Sequence, residues 1–266
     1  MTRRKVFFQG SVLVSFLASL VLFSGCAKDE EEVTYADSDC PYLTIGGYTI
    51  LAAKETEVNT WFDTEHIPQL MGYSGLKEAN RCTRYQARID TTIPMYYTTY
   101  HFDTKAGIDS MVNVANTNMQ AKWPPANGEC TADFLVTYEK MQSWVKPGVT
   151  TRPSIMQIVA YEFAPATADA VNDWYNNIIM PKFMKYEGLL QSARYKKMGA
   201  ASDINSAGFP TFLTVYYYPT KEDQQGLAVG NPIFDDVMAN EAATWPNNEL
   251  LLQFVLWTTN SFTQKK

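Results

Sequence analysis

The segment Val58-Asn59-Thr60-Trp61-Phe62-Asp63-Thr64-Glu65-His66-Ile67-Pro68 returns later in the chain as Val171-Asn172-Asp173-Trp174-Tyr175-Asn176, followed by Ile178-Ile179 and Pro181. Both copies continue through a methionine (Met71, Met184), a tyrosine (Tyr73, Tyr186) and Gly-Leu (Gly75-Leu76, Gly188-Leu189), at a constant offset of 113 residues. Arg84-Tyr85 and Arg194-Tyr195 follow. Farther on the spacing drifts, with Thr104-Lys105 matching Thr220-Lys221 at 116 and Trp123-Pro124 matching Trp245-Pro246 at 122. Such self-similarity predicts two copies of one structural unit, repeat 1 over 42–145 and repeat 2 over 154–262. The stretch 146–153, with two prolines and a glycine, reads as the linker.

Within each copy the pattern is strand, helix, strand, strand, helix, strand. Tyr48 to Ala53 and Ile155 to Phe163 are β-rich openings. Val58, Trp61 and Phe62, and again Val171, Trp174, Tyr175 and Ile178, have the three-and-four spacing of an amphipathic helix. Pro68 and Pro181 kink that helix or start its last section, and Gly75 and Gly188 close it. Met95 to Phe102 and Thr211 to Tyr218 are the third strands, rich in Tyr, Thr and Phe. Second helices are expected at about 106–122 and 234–244, stopping before Trp-Pro because the residue ahead of proline leaves the α region. Last strands follow at Phe134 to Tyr138 and Leu250 to Trp257.

Two βαββαβ units suggest ferredoxin-like sheets with helices on one face only, so the expected α+β architecture packs the two bare faces together. The run Trp61-Phe62-Asp63-Thr64-Glu65-His66-Ile67-Pro68, continuing through Gly75 to Arg84-Tyr85, resembles the signature of the dimeric α/β-barrel superfamily, especially its EthD-like branch. In that superfamily the barrel normally forms between two chains, so the resemblance implies a pseudo-dimeric barrel made by one chain, a monomer. It covers both repeats, but the Glu-His pair is present only in the first. Ile178-Ile179 stand where Glu65-His66 do.

The amino terminus reads as an address. Three positive charges in Met1 to Lys5 precede a mostly apolar run from Val6 to Phe23 and then Leu22-Phe23-Ser24-Gly25-Cys26, which resembles a bacterial lipobox. Residues 1–25 would be the signal peptide, and Cys26 would carry the acyl chains (palmitate-type) that anchor the mature protein. Two or three chains bury tens of methylenes at about 0.8 kcal/mol each, effectively permanent attachment. Residues 26–41 form an acidic tether, and Ala27-Lys28-Asp29-Glu30-Glu31-Glu32 resembles the export signal of Bacteroidetes-type surface lipoproteins. The expected location is the outer membrane, lipid-anchored, at the cell surface or else the periplasmic face.

Composition narrows the chemistry. The chain has 266 residues, 46% apolar and 14% aromatic, enough for a substantial core. Removing the signal peptide leaves 19 basic against 28 acidic residues, and no basic stripe suits a nucleic-acid partner. Only His66 and His101 are present, and no Cys or His pair has zinc-site spacing, so no metal is expected. No phosphate-cradling glycine loop or serine nucleophile elbow is recognisable.

His66 is the catalytic candidate. Related barrels acting on cyclic or aromatic compounds use a His or Tyr as general acid/base in an apolar cavity without a cofactor, and an unperturbed imidazole exchanges protons near neutrality. A capping or pairing role for Glu65 and His66 weighs equally. Period-two alternation puts Tyr96, Thr98, Tyr100 and Phe102 on one face and Phe212, Thr214, Tyr216 and Tyr218 on the equivalent one, rows that line a barrel cavity or simply form core. On the cavity reading, Tyr100 joins His66 in catalysis, and Trp61, Tyr96, Tyr216 and Tyr218 contact ligand. His101, with Tyr97 and Thr99, falls on the other face as a packing residue. The recurrence of Arg84 and Arg194 favours a structural ion pair. Among the remaining cysteines, Cys40 to Cys82 is the easier disulfide, since the chain enters the first two strands from the same end. Cys130 reads as a buried inert thiol. The function expected is binding of a small apolar or aromatic molecule, either alone or followed by its cofactor-free transformation. The alternatives are a non-catalytic surface lipoprotein acting through a partner and, because some barrels of this superfamily bind haem through a histidine, haem binding at His66 or His101.

Overall fold

The computed structural model describes residues 40–87, 94–117, 128–240 and 249–263. The signal peptide, Cys26, most of the tether and both Trp-Pro pairs lie outside the described residues. Eight strands run β1 (Tyr42–Ile50), β2 (Leu76–Ala87), β3 (Tyr96–Phe102), β4 (Cys130–Val145), β5 (Ile155–Glu162), β6 (Gln191–Lys197), β7 (Phe212–Tyr218) and β8 (Glu249–Thr263). The first strand begins earlier than expected, at Tyr42, and 52–54 is a 3-10 turn. A bulge at Gly47/Tyr48 carries β1 around β4, and a side chain on Gly47 would collide with the Phe134 ring.

The helix after each opening strand is interrupted at the same place. Here α1 (Glu55–Trp61) passes through a π-helical turn, Phe62–His66, into α2 (Ile67–Leu70). The second half repeats this with α4 (Ala168–Trp174), the turn Tyr175–Ile179 and α5 (Met180–Phe183). The Ile67 amide donates to the Phe62 carbonyl and the Met180 amide to the Tyr175 carbonyl, five residues back in each case. Pro68 and Pro181 come next. A proline ring crowds the carbonyl four residues earlier, and widening the preceding turn relieves that crowding without ending the helix. The remaining helices are α3 (Lys105–Thr117), α6 (Lys221–Gly226) and α7 (Pro232–Asn240). Gly75, at φ +95°, makes the turn into β2 while pressed against Gly107 of α3, where neither position has space for a Cβ.

The strands close into one antiparallel barrel in the order β1-β3-β2-β8-β5-β7-β6-β4. The order β4-β1-β3-β2 in the first half recurs as β8-β5-β7-β6 in the second, and the halves join edge to edge through β2 with β8 and β4 with β6. The two sheets therefore bond along their rims as well as facing one another, and every strand has two hydrogen-bonded neighbours. This leaves three apolar layers. The lumen holds Leu43, Ile45, Tyr97, Val136, Tyr138, Met156, Ile158, Tyr195, Val215, Tyr217 and Leu256, among others. Outside the barrel, the first half packs Val58, Phe62, Ile67 and Leu70 on Tyr100 and Phe102. The second packs Val171, Tyr175, Ile179 and Phe183 on Tyr161, Phe212, Tyr216 and Tyr218.

Two expectations are corrected by this arrangement. The row containing Tyr100, and the row of Phe212, Tyr216 and Tyr218, face the helices and not the lumen; Tyr97, Thr99 and His101 face inward instead. No disulfide joins Cys40 to Cys82. Tyr42 lies opposite Phe102 on β3, whereas Cys82 lies opposite Tyr97, five residues farther along the same strand. At about 3.4 Å per residue that places the two cysteines well beyond disulfide reach. Cys82 lies mid-strand with its side chain in the lumen, and burial pushes its thiol up to about 11.

Candidate functional site

Among the described residues the lumen is packed with apolar side chains. At one end Phe209 covers Phe134, with ring centroids 4.3 Å apart. The residual space there, beside Ile45, Val136, Ile158 and Leu213, is about 10 Å³, room for one water at most. At the opposite end Arg152, from the linker before β5, makes a two-pronged ion pair with Glu78, its Nε 2.5 Å from Oε1 and its Nη2 2.8 Å from Oε2. The same Nη2 lies 3.3 Å from His101 Nδ1. A guanidinium only donates, so His101 Nδ1 accepts and this imidazole carries no proton at that nitrogen. Asn80 donates to Glu78 and accepts from Ser261, and the Arg152 guanidinium lies over the Tyr217 ring. His101 is thus placed in a buried polar network that ties the linker to the barrel.

Four of the residues singled out from sequence, Trp61, His66, Tyr96 and Tyr100, converge elsewhere, in the layer between α1, the π turn and the first-half sheet. His66 is buried, stacked on Trp61 with ring centroids 4.8 Å apart and meeting the edge of Phe62 at 5.1 Å. Burial, with a smaller contribution from the nearby Arg81 charge, lowers its pKa to about 3. The ring is therefore neutral at physiological pH. The Tyr100 hydroxyl meets that of Tyr48 at 3.4 Å, and burial holds both phenols above their ordinary range. Tyr96, half-buried at the rim beside Glu55 and Asn59, is pushed up to about 12, chiefly by desolvation.

Arg81 is the residue the sequence reading missed. It is buried over the Phe62 ring at 4.0 Å, donates to Thr98 Oγ1 at 2.8 Å and to Asn59 Oδ1 at 2.7 Å, and lies 3.7 Å from Asp63. Its counterpart in the second half is Arg194, since Arg81 pairs with Thr98 across the strands as Arg194 does with Thr214. The offset is again 113, so extending the constant spacing past Gly-Leu would have found it. The Arg-Tyr dipeptide match pointed instead to Arg84, which is three residues out of register and half-buried.

The second-half layer contains Tyr216 and Tyr218, on the far side of the barrel wall from the His66 cluster. Tyr175, at the Phe62 position, bonds through its hydroxyl to both Tyr161, at 2.8 Å, and Tyr216. Arg194 lies 4.3 Å from the Tyr175 ring centre. Ile179 replaces His66. The second layer thus closes over its own phenols, whereas the first has Phe62 at the place of that bridging hydroxyl.

The His66 ring is stacked on Trp61 and meets the edge of Phe62, and His101 Nδ1 is engaged by Arg152. Among the described residues no group of three His, Cys, Asp or Glu side chains could hold a metal ion.

No protein-family model matches the sequence, and no curated protein sequence does. Solved structures do match in shape. A candidate monooxygenase from Fusobacterium nucleatum aligns over 85% of this chain and 95% of its own with a TM-score of 0.58 at 10% identity. An anthrone oxidase-like protein aligns over 86% and 96% with a TM-score of 0.56 at 9% identity. The chlorite dismutase of Candidatus Nitrospira defluvii aligns over 82% and 91% at 0.52 and 10%. The fold is that of the dimeric α/β barrels. At such identities the likeness is one of architecture, here produced by a single chain.

Proposed function

We propose that this chain is a duplicated, lipid-anchored lipoprotein of the bacterial outer membrane whose first-half helix–sheet layer binds a small, flat, apolar or aromatic molecule bearing an oxygen. The observation that supports it best is the difference between the two layers. Each has a buried arginine, an asparagine and paired tyrosines on one frame. In the second the tyrosine hydroxyls bond to one another through Tyr175, while the first pairs Phe62 and a neutral, stacked His66 with the Tyr48 and Tyr100 hydroxyls and the Arg81 guanidinium. Trp61 and Tyr96, half-buried at the rim, are the side chains a ligand would displace on the way in. A π-helical turn at this wall supports the reading, because such turns recur at functional sites. Kinship of fold with an anthrone oxidase-like protein and a candidate monooxygenase is consistent with a planar ligand.

The reading is one of binding, with Arg81, Tyr48 and Tyr100 orienting the ligand oxygen. Native mass spectrometry of the full chain in detergent, purified from its own host, tests it. Wild type should carry a small molecule that His66→Ala and Arg81→Gln lose, and Cys26→Ser should lose both its acyl mass and its membrane fraction. An empty protein would favour the second reading, a lipoprotein that acts through a protein partner on its outer surface. The filled lumen is the observation on that side.

A further inference from the structure

Arg194 is a cation without a counter-charge. It is 1% exposed, and its contacts are Asn172 O, Asn172 Oδ1 and Asn176 Oδ1 at 3.2, 2.6 and 2.6 Å, together with the Tyr175 ring face. No carboxylate lies within ion-pair reach of it among the described residues. In the first half the equivalent of Asn176 is Asp63, 3.7 Å from the Arg81 guanidinium. One exchange, aspartate for asparagine, has removed the negative charge from an otherwise matching frame.

The same place has two polar atoms without hydrogen-bond partners, Arg194 Nε and Thr214 Oγ1. These residues are direct cross-strand neighbours on β6 and β7, both on the helix-facing side, and Thr214 is wholly buried. In the first half the corresponding threonine, Thr98, accepts from its arginine at 2.8 Å. A buried guanidinium with a spare N–H, beside a spare hydroxyl donor, is an arrangement that burial penalises unless something negative joins it.

We propose that the second-half layer binds a small monoanion, a halide or a compact carboxylate, between Arg194 Nε and the Thr214 hydroxyl. Both atoms donate to it, and the charge that Asp63 supplies in the first half comes here from solution. Desolvation pulls the Arg194 guanidinium toward losing its proton, and the bound anion opposes that tendency. The site does not depend on the ligand reading of the first half.

Thermal melting of the full chain in detergent tests it at constant ionic strength, replacing gluconate, too large to enter, with chloride, bromide, formate or acetate. Wild type should show a melting temperature that rises and then saturates. Response to halides alone assigns a halide; response to formate and acetate alone assigns a carboxylate. Asn176→Asp supplies the charge internally and should melt at or above the wild-type plateau with no anion dependence. Arg194→Gln should also be flat, and Asn176→Asp keeps the test open if that variant does not fold. A bromide-soaked crystal should place an anomalous peak within hydrogen-bond distance of Arg194 Nε. A flat wild-type response, as expected for an occupying water molecule, overturns the proposal. An equal rise in Asn176→Asp, the mark of a general salt effect, overturns it too.

Discussion

Replacing Arg152 by leucine is the sharpest probe of how the barrel mouth is held. The side chains of Arg152 and Glu78 are 6% and 3% exposed, so the pair is shielded from solvent and its loss needs little discount for screening. Arg152→Leu leaves a carboxylate in the lumen without its cation, a change that costs about 3–5 kcal/mol. Asn80 still donates to Glu78, which places the expectation near the lower limit. With a urea m-value of about 2–3 kcal/mol/M, the midpoint should fall by about 1–2 M. Adding Glu78→Gln removes the stranded charge, and the double variant should recover to within about 1–2 kcal/mol of wild type, a coupling that only a direct interaction produces. The assay is equilibrium urea unfolding of all four proteins by tryptophan fluorescence. A loss under about 1 kcal/mol for Arg152→Leu, the worth of a solvated surface pair, would refute the claim that the linker arginine seals this end of the barrel.

Tyr175→Phe gives the second layer the residue found in the first and removes the hydroxyl that bonds both Tyr161 and Tyr216; unfolding should show a loss of about 1–3 kcal/mol. For His66, the folded pKa of about 3 lies below the ordinary 6.5. The unfolded chain therefore takes up a proton between those values that the folded chain refuses. Its contribution to stability is complete above pH 6.5 and declines at about 1.4 kcal/mol per unit as pH falls toward 3. Urea melts at pH 4 to 7 should show that extra slope in wild type and not in His66→Phe. Cys82 and Cys130, both pushed up to about 11 by burial, should resist iodoacetamide at pH 8 in the native protein and react on unfolding without reductant.

The helix-plus-turn segment and the strand pattern were legible because their signals are local. Spacing marked the amphipathic face, Pro68 and Pro181 marked the interruption, and β-branched and aromatic runs marked β3, β5 and β7. Which face of a strand lined the lumen was not legible, and the reason is physical. In a barrel jacketed by helices both faces are buried, so β7 is buried at every position from Phe212 to Tyr218 and shows no polar side. Alternation then separates two faces without naming the inner one. The Cys40–Cys82 expectation failed because the end at which a chain enters a strand does not say how deep along it a residue lies. Arg81 was obscured by a dipeptide coincidence at Arg84, although the longer constant spacing already contained its register.

That one chain supplies all eight strands has a consequence for change over time. In a barrel built from two identical subunits, every substitution arrives twice, once in each half, and must be tolerated in both. Here each half can vary privately. His66 faces Ile179 across the correspondence, Glu78 faces Gln191, and Asp63 faces Asn176. Closure is also intramolecular, so the barrel does not depend on finding a second copy. One half is free to remain scaffold while the other changes its contents.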